Sequence, residues 1–165
     1  MSELRRIPVI VLGVGHVGSA FLAQLMRTQT TLADRYGIAL WPVALANRRV
    51  ALVEADGLLE QVAVLAEARD PGKALAAMPG VQAGMAAGDV IARCAEQGIE
   101  RAIVLDCTAA EGMDPPLARA LELGYGVVLA NKRPLAGPWV DAGVFFNHPL
   151  VRFEATVSSG LPVMS

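Results

Sequence analysis

The 165-residue chain is poor in cysteine, histidine and lysine, and it has no surplus of either charge. Each shortage closes off a class of protein. Two cysteines, Cys94 and Cys107, cannot build a disulfide framework, so the chain reads as a reduced, cytoplasmic protein. The two histidines, His16 and His148, stand far apart, and no His/Cys/Asp/Glu grouping has the spacing of a zinc site. Fourteen basic against sixteen acidic side chains give a net charge of −2, which offers no general attraction to nucleic acid or an anionic membrane. No apolar run reaches the roughly 18 residues of a membrane span before Arg, Asp or Glu interrupts it. The opening Met1-Ser2-Glu3-Leu4-Arg5-Arg6 lacks the apolar core and small-residue cleavage site of a secretion signal. What is present is a 54% hydrophobic, 18% charged composition, enough to bury a core and too apolar for a disordered chain.

The order of patterns points to an α/β fold: a Rossmann-type open, mainly parallel sheet with helices on both faces. Residues 7–12 form a short β-branched run suited to a strand buried on both sides. It stops at Gly13, and 17–27 read as a helix, with Val17, Phe21, Leu22 and Leu25 at helical spacing. The polar stretch 28–37 reads as a connection. Residues 38–46 make a second strand, in which Pro42 calls for an edge position, a bulge or a late start. The alanine-rich stretch 50–98 is broken by Asp70-Pro71-Gly72, Met78-Pro79-Gly80 and Gly88-Asp89, and yields helices at 58–68 and 89–97. Strands follow at 101–106, 126–130 and 151–157, with a helix at 116–123 that Asp114-Pro115 opens and Gly124 closes. The methionines share no stripe and read as filler.

Gly13-Val14-Gly15-His16-Val17-Gly18 lies between a strand and an amphipathic helix, the context a dinucleotide-binding loop requires. The first glycine permits the tight turn, the second lets a pyrophosphate approach the backbone, and the third lets helix pack on strand. Free N–H groups and the positive end of the helix dipole complete the phosphate site. An NAD-selective site places Asp or Glu at the end of the second strand to accept from the ribose 2′-hydroxyl. Residues 38–49 contain no acid and end Asn47-Arg48-Arg49. Either arginine can pair with a 2′-phosphate, which favours NADP over NAD, the alternative being a solvated pair of arginines. Asp106-Cys107-Thr108 and Asn131-Lys132 follow strands directly, where ligands of open α/β sheets sit. Thr108 can hydrogen-bond a ribose or nicotinamide group, and Cys107 reads as a packed structural residue. Lys73 and Lys132 are the only lysines in an arginine-preferring chain. Lys132 is either a compact ammonium directed at ribose, carboxamide or substrate carbonyl, or a surface lysine before a loop.

Four segments in this order resemble homoserine dehydrogenase, over its N-terminal NAD(P)-binding domain. They are Val9 through Leu22 around the glycine loop, Leu105-Asp106-Cys107-Thr108-Ala109, the run from Gly126 to Ala136 with Ala130-Asn131-Lys132, and the run from Phe153 to Val163 with Glu154-Ala155-Thr156-Val157. The resemblance implies interconversion of L-homoserine and L-aspartate 4-semialdehyde with NAD(P)H, in the biosynthesis of threonine, isoleucine and methionine. It places pyrophosphate at Gly13, Val14, Gly15, His16, Val17 and Gly18, the adenosine ribose at Asn47 and Arg48 with Arg49 beside them, and the nicotinamide end at Thr108 and Lys132. Lys132 is then the catalytic candidate. It also implies a monovalent cation, usually sodium, on carbonyl oxygens of Glu154, Val157, Ser159 and Leu161. Residues 1–150 would be the nucleotide-binding unit, and 151–165 the first strand and start of a substrate-binding region whose remainder the chain lacks. By itself the chain would then bind cofactor weakly and turn over no substrate, and a homodimer is possible. Two rivals stand: a non-catalytic nucleotide-binding or regulatory module, and another Rossmann-type reductase of a small semialdehyde.

Overall fold

The computed structural model describes residues 4–153. Its centre is strand β1 (Arg5–Leu12), whose last four residues are fully buried. Parallel strands flank it: β2 (Ile38–Ala46) on one side, and β5 (Ile103–Asp106), β6 (Gly126–Leu129) and β7 (Val151–Arg152) on the other. Beyond β2 the sheet continues through β3 (Val50–Val53) and β4 (Gln82–Ala83), both antiparallel to their neighbours, giving the order β4-β3-β2-β1-β5-β6-β7. The expected α/β, mainly parallel, Rossmann-type architecture is therefore present. The pairing of β7 with β6 carries residues 151 and 152 into this same sheet.

Helices cover both faces. On one, α1 (His16–Tyr36), α2 (Leu59–Glu67) and α3 (Pro71–Ala76) enclose Val9, Val11, Leu22, Leu45 and Leu65. On the other, α4 (Ala87–Glu96), α5 (Asp114–Glu122) and α7 (Trp139–Phe146) enclose Ile10, Val104, Ile91, Leu117 and Phe145. Short α6 (Arg133–Ala136) leads into α7. Alternate residues of β1 feed opposite cores, as the period-two geometry of a strand requires.

Three sequence expectations need correction. Residues 28–36 are not a connection but nine further residues of α1. No glycine or proline stops the helix before Gly37, which adopts φ 63° and donates its N–H to Ala33. The Thr28 hydroxyl folds back onto the Gln24 carbonyl at 2.9 Å, so this polarity is compatible with helix. Asp70-Pro71-Gly72, expected as a break, instead opens α3: Asp70 Oδ1 accepts from Lys73 N at 3.1 Å, and proline occupies the first turn. The stretch 50–98 also holds strands β3 and β4, which the alanine-rich composition around Val50–Val53 and the exposed Gln82 and Ala83 do not announce. Of the readings of Pro42, the bulge holds: Val9 pairs with Pro42 and Ile10 with Ala44, so Val43 is skipped, in a strand with neighbours on both sides.

Candidate functional site

The carboxyl ends of β1 and β5 meet where the strand order changes direction, and there the loops diverge to leave a cavity of about 500 Å³. Gly13, Val14 and Gly15 form one wall, Asn47 and Arg48 one end, and Cys107, Thr108, Ala109 and Ala110 the opposite wall. The three glycines play three different parts. Gly13 has φ 97°, and a Cβ on it would lie 2.7 Å from the Cys107 carbonyl carbon. At Gly18 a Cβ would lie 2.2 Å from the Gly13 carbonyl oxygen, so only hydrogen fits where α1 meets the strand. A Cβ on Gly15 meets nothing within 4 Å, which leaves that stretch of backbone open to a ligand. The first helical hydrogen bond is Ser19 N to Gly15 O at 2.9 Å. The N–H groups of His16, Val17 and Gly18 therefore have no partner inside the helix, and no acid occupies its first turn. His16 is exposed and borders a neighbouring cleft of about 690 Å³ with Gly15, Arg69 and Lys73.

Asn47 builds the turn that follows β2. Its Oδ1 accepts from Arg49 N at 2.8 Å and Val50 N at 3.0 Å, and its Nδ2 donates to the Gly72 carbonyl at 3.3 Å. The side chain is thus engaged with main chain on both sides, while Arg48 and Arg49 project from the tip, exposed. Both line a second cavity of about 350 Å³ with Asp70 and Lys73 from the start of α3. Asp70 is the acid nearest in this surrounding, but its Oδ2 pairs with Lys73 at 3.3 Å. Its carboxyl sits below the ordinary range chiefly because the Lys73 backbone N–H donates to it. Among the described residues, Arg48 and Arg49 have no carboxylate partner.

The ends of β5 and β6 are joined by a buried polar knot that sequence reading did not find. Asp106, with 0% exposure, accepts from Thr108 N at 2.9 Å and Thr108 Oγ1 at 2.7 Å through Oδ1, and from Asn131 Nδ2 at 3.1 Å through Oδ2. Asn131, 3% exposed, also donates to the Ala110 carbonyl at 3.0 Å and accepts from Arg133 N at 3.1 Å. The Thr108 hydroxyl gives its one proton to Asp106 and accepts from Ala110 N at 3.2 Å, so it faces the cavity with no proton to donate. Burial raises the Asp106 carboxyl above its ordinary value, against the lowering effect of Thr108 and Asn131. Burial, and then the Asp106 charge, push the Cys107 thiol up to about 12. That leaves it a neutral thiol and no nucleophile at neutral pH.

Lys132 is exposed at the entrance to α6 and does not line the cavity that Gly13 and Thr108 share. Met85 and Met113, expected as filler, do line it, together with Ala86 and Ala87. No spacing signal marks those residues, because they arrive with the mouth of α4 and the loop before α5. Glu154, Val157, Ser159 and Leu161, the expected cation ligands, lie outside the described residues. Within the described residues no cluster of three His, Cys, Asp or Glu side chains is placed to hold a metal ion, and no helix is long and apolar enough to cross a membrane.

A family model, homoserine dehydrogenase, NAD binding domain, matches residues 13–141. Solved structures match with the same topology. Homoserine dehydrogenase from Thermoplasma acidophilum is 22% identical with a TM-score of 0.63, over 92% of this chain and 44% of that one. A hyperthermophilic archaeal homoserine dehydrogenase in complex with NADPH is 21% identical with a TM-score of 0.60, over 92% and 44%. A putative homoserine dehydrogenase from Archaeoglobus fulgidus is 19% identical with a TM-score of 0.64, over 91% and 42%. At these identities the likeness carries the fold, and the chain spans less than half the length of each of these proteins.

Proposed function

The chain belongs to the homoserine dehydrogenase NAD-binding domain family, and we propose that it is the nucleotide-holding part of an enzyme interconverting L-homoserine and L-aspartate 4-semialdehyde, with NADP(H) preferred over NAD(H). One observation carries this reading: the open backbone at Gly15 faces a cavity whose far end is the acid-free Asn47-Arg48-Arg49 turn. The first-turn N–H groups of α1 receive the pyrophosphate, with Val14, His16 and Val17 around it. Arg48 and Arg49, exposed and without a carboxylate partner among the described residues, meet the 2′-phosphate as charge-assisted donors. Asn47 serves the adenosine end through the turn it shapes. When bound, the nicotinamide gives or takes the hydride. Thr108 shapes the loop beneath it, and Lys132 places its ammonium at the reacting oxygen. Residues through β7, which pairs into the same sheet, form the nucleotide-binding unit, and the chain after it leads toward the substrate-binding part.

Fluorescence titration with NADPH and NADH tests this. NADPH binds more tightly, and replacing both Arg48 and Arg49 by alanine weakens NADPH by roughly tenfold or more, since a hydrogen bond to a charged group is worth about 1.5–3 kcal/mol. NADH affinity stays within about twofold, because the 2′-hydroxyl presents no charge to those residues. Tighter binding of NADH by the unaltered chain overturns the NADP assignment.

A further inference from the structure

The polar knot at the ends of β5 and β6 exceeds what sheet closure requires. Two fully or nearly fully buried polar side chains, Asp106 and Asn131, sit 25 residues apart and touch no open surface, yet every bond they make ends on the cavity wall or beside Lys132. The Asp106 carbonyl accepts the backbone N–H of Ala130 at 2.9 Å and of Asn131 at 3.1 Å, fixing the chain just before Lys132. The Asn131 side-chain oxygen accepts the Arg133 N–H at 3.1 Å, fixing the chain just after it. The Lys132 peptide is thereby held on both sides, so its side chain leaves from a fixed point and in a fixed direction. From the same knot, Thr108 N and Oγ1 set the loop 107–110, whose Cys107 carbonyl lies against Gly13.

We propose that Asp106 and Asn131 are positioning residues, which aim the Lys132 ammonium and hold the 107–110 wall at the spacing that bound NADP(H) needs. This rests on the reading that the crevice takes NADP(H) with Lys132 at its nicotinamide end. A buried carboxylate with three donors is rigid because each lost donor leaves a desolvated oxygen short of a partner that no water replaces. The knot therefore has one arrangement, and the loop and the lysine inherit it.

The chain supplies its own probe, since Lys73 and Lys132 are its only lysines. Labelling lysine with ¹³C at the ε-carbon gives two signals, assigned with Lys73→Arg. In the unaltered chain, saturating NADPH moves the Lys132 signal. In Asp106→Asn the isosteric amide faces the Asn131 amide with a donor. NADPH affinity then falls five- to tenfold, and the Lys132 signal at saturation loses most of its displacement. Thr108→Val has the same two effects, and Thr108→Ser, which keeps the hydroxyl, restores both. The Thr108 pair decides the matter if Asp106→Asn does not fold. Variants that bind as the unaltered chain does and show the full Lys132 displacement overturn the inference alone, whereas a Lys132 signal indifferent to NADPH in the unaltered chain overturns the placement of Lys132 in the reading beneath it, and the inference with it. Failure of the unaltered chain to bind either nucleotide overturns the reading beneath it, and the inference with it.

Discussion

The two walls of the nucleotide crevice are built by opposite means. The glycine-loop wall works by omission: at Gly13 and Gly18 a single methyl would strike backbone, and at Gly15 its absence leaves an opening. The wall at the ends of β5 and β6 works by addition, with the carboxylate of the last β5 residue bonded to a hydroxyl and an amide from the loops that follow β5 and β6. The first wall has few ways to deform, because hard contacts resist compression steeply. The second depends on directional bonds, which hold one geometry while they are all satisfied and lose it together. A ligand clasped between them meets one surface set by sterics and another set by hydrogen bonding.

Substitutions on the first wall test this contrast most strongly. Gly18→Ala puts a Cβ 2.2 Å from the Gly13 oxygen. The gain of about 1 kcal/mol in helix propensity is outweighed by overpacking of roughly 1–3 kcal/mol or more, and cofactor binding is lost as the loop shifts. Thermal unfolding reads the first effect and NADPH titration the second. An unchanged melting temperature removes the steric account of this wall. Gly15→Ala separates the two effects. Gly15 has φ −121°, so alanine needs no left-handed backbone, and its methyl meets nothing in the protein. Stability stays within about 0.5 kcal/mol, as for an ordinary surface change. NADPH affinity falls at least tenfold, because the methyl occupies the approach of the pyrophosphate. A chain that loses stability and affinity together at this position means that Gly15 is a structural residue like its neighbours.

The smallest effect belongs to the second wall and appears as a pH dependence. Burial raises the Asp106 pKa in the folded chain above its ordinary 3.8, so the native state holds the proton more tightly than the unfolded one. The stability that follows is fully present below the unfolded value and is lost as pH rises through the raised one. Asp106→Asn cannot titrate. The unfolding free energy of the unaltered chain, measured relative to that variant, therefore increases as pH is lowered from neutral toward 4. A difference that stays flat over this range contradicts the raised value.

The same contrast explains what could be read beforehand. The glycine loop was legible because its requirements are local: six consecutive residues between a strand and a helix state the whole constraint. Strands at 7–12, 38–46, 101–106 and 126–130 were legible as apolar runs, and parts of α1, α2, α4 and α5 from helical spacing and end signals; of the strand expected at 151–157, residues 151 and 152 are present and 154–157 lie outside the described residues. The Asp106–Asn131 knot was not, since the partners lie 25 residues apart and each alone looks like an ordinary residue at a strand end. Strand β3 escaped because Val50–Val53 merges with the alanine-rich stretch that follows it, and β4 because its two residues, Gln82 and Ala83, are exposed and carry no apolar pattern. The start of α3 was mistaken for a break because Asp-Pro-Gly serves a turn and a helix opening equally well, and only the Asp70 bond to Lys73 N distinguishes them.

The turn after β2 carries a separate lesson. Asn47 secures it entirely through main-chain atoms of Arg49, Val50 and Gly72, so its shape does not depend on which side chains occupy positions 48 and 49. Anchor and reader are thus independent parts. The side chains proposed to meet the 2′ group, Arg48 and Arg49, can be exchanged for acids while the hairpin and the sheet behind it keep their form. On the proposed reading, choice of cofactor rests on two exposed side chains mounted on an indifferent frame, open to drift or design at little cost to folding.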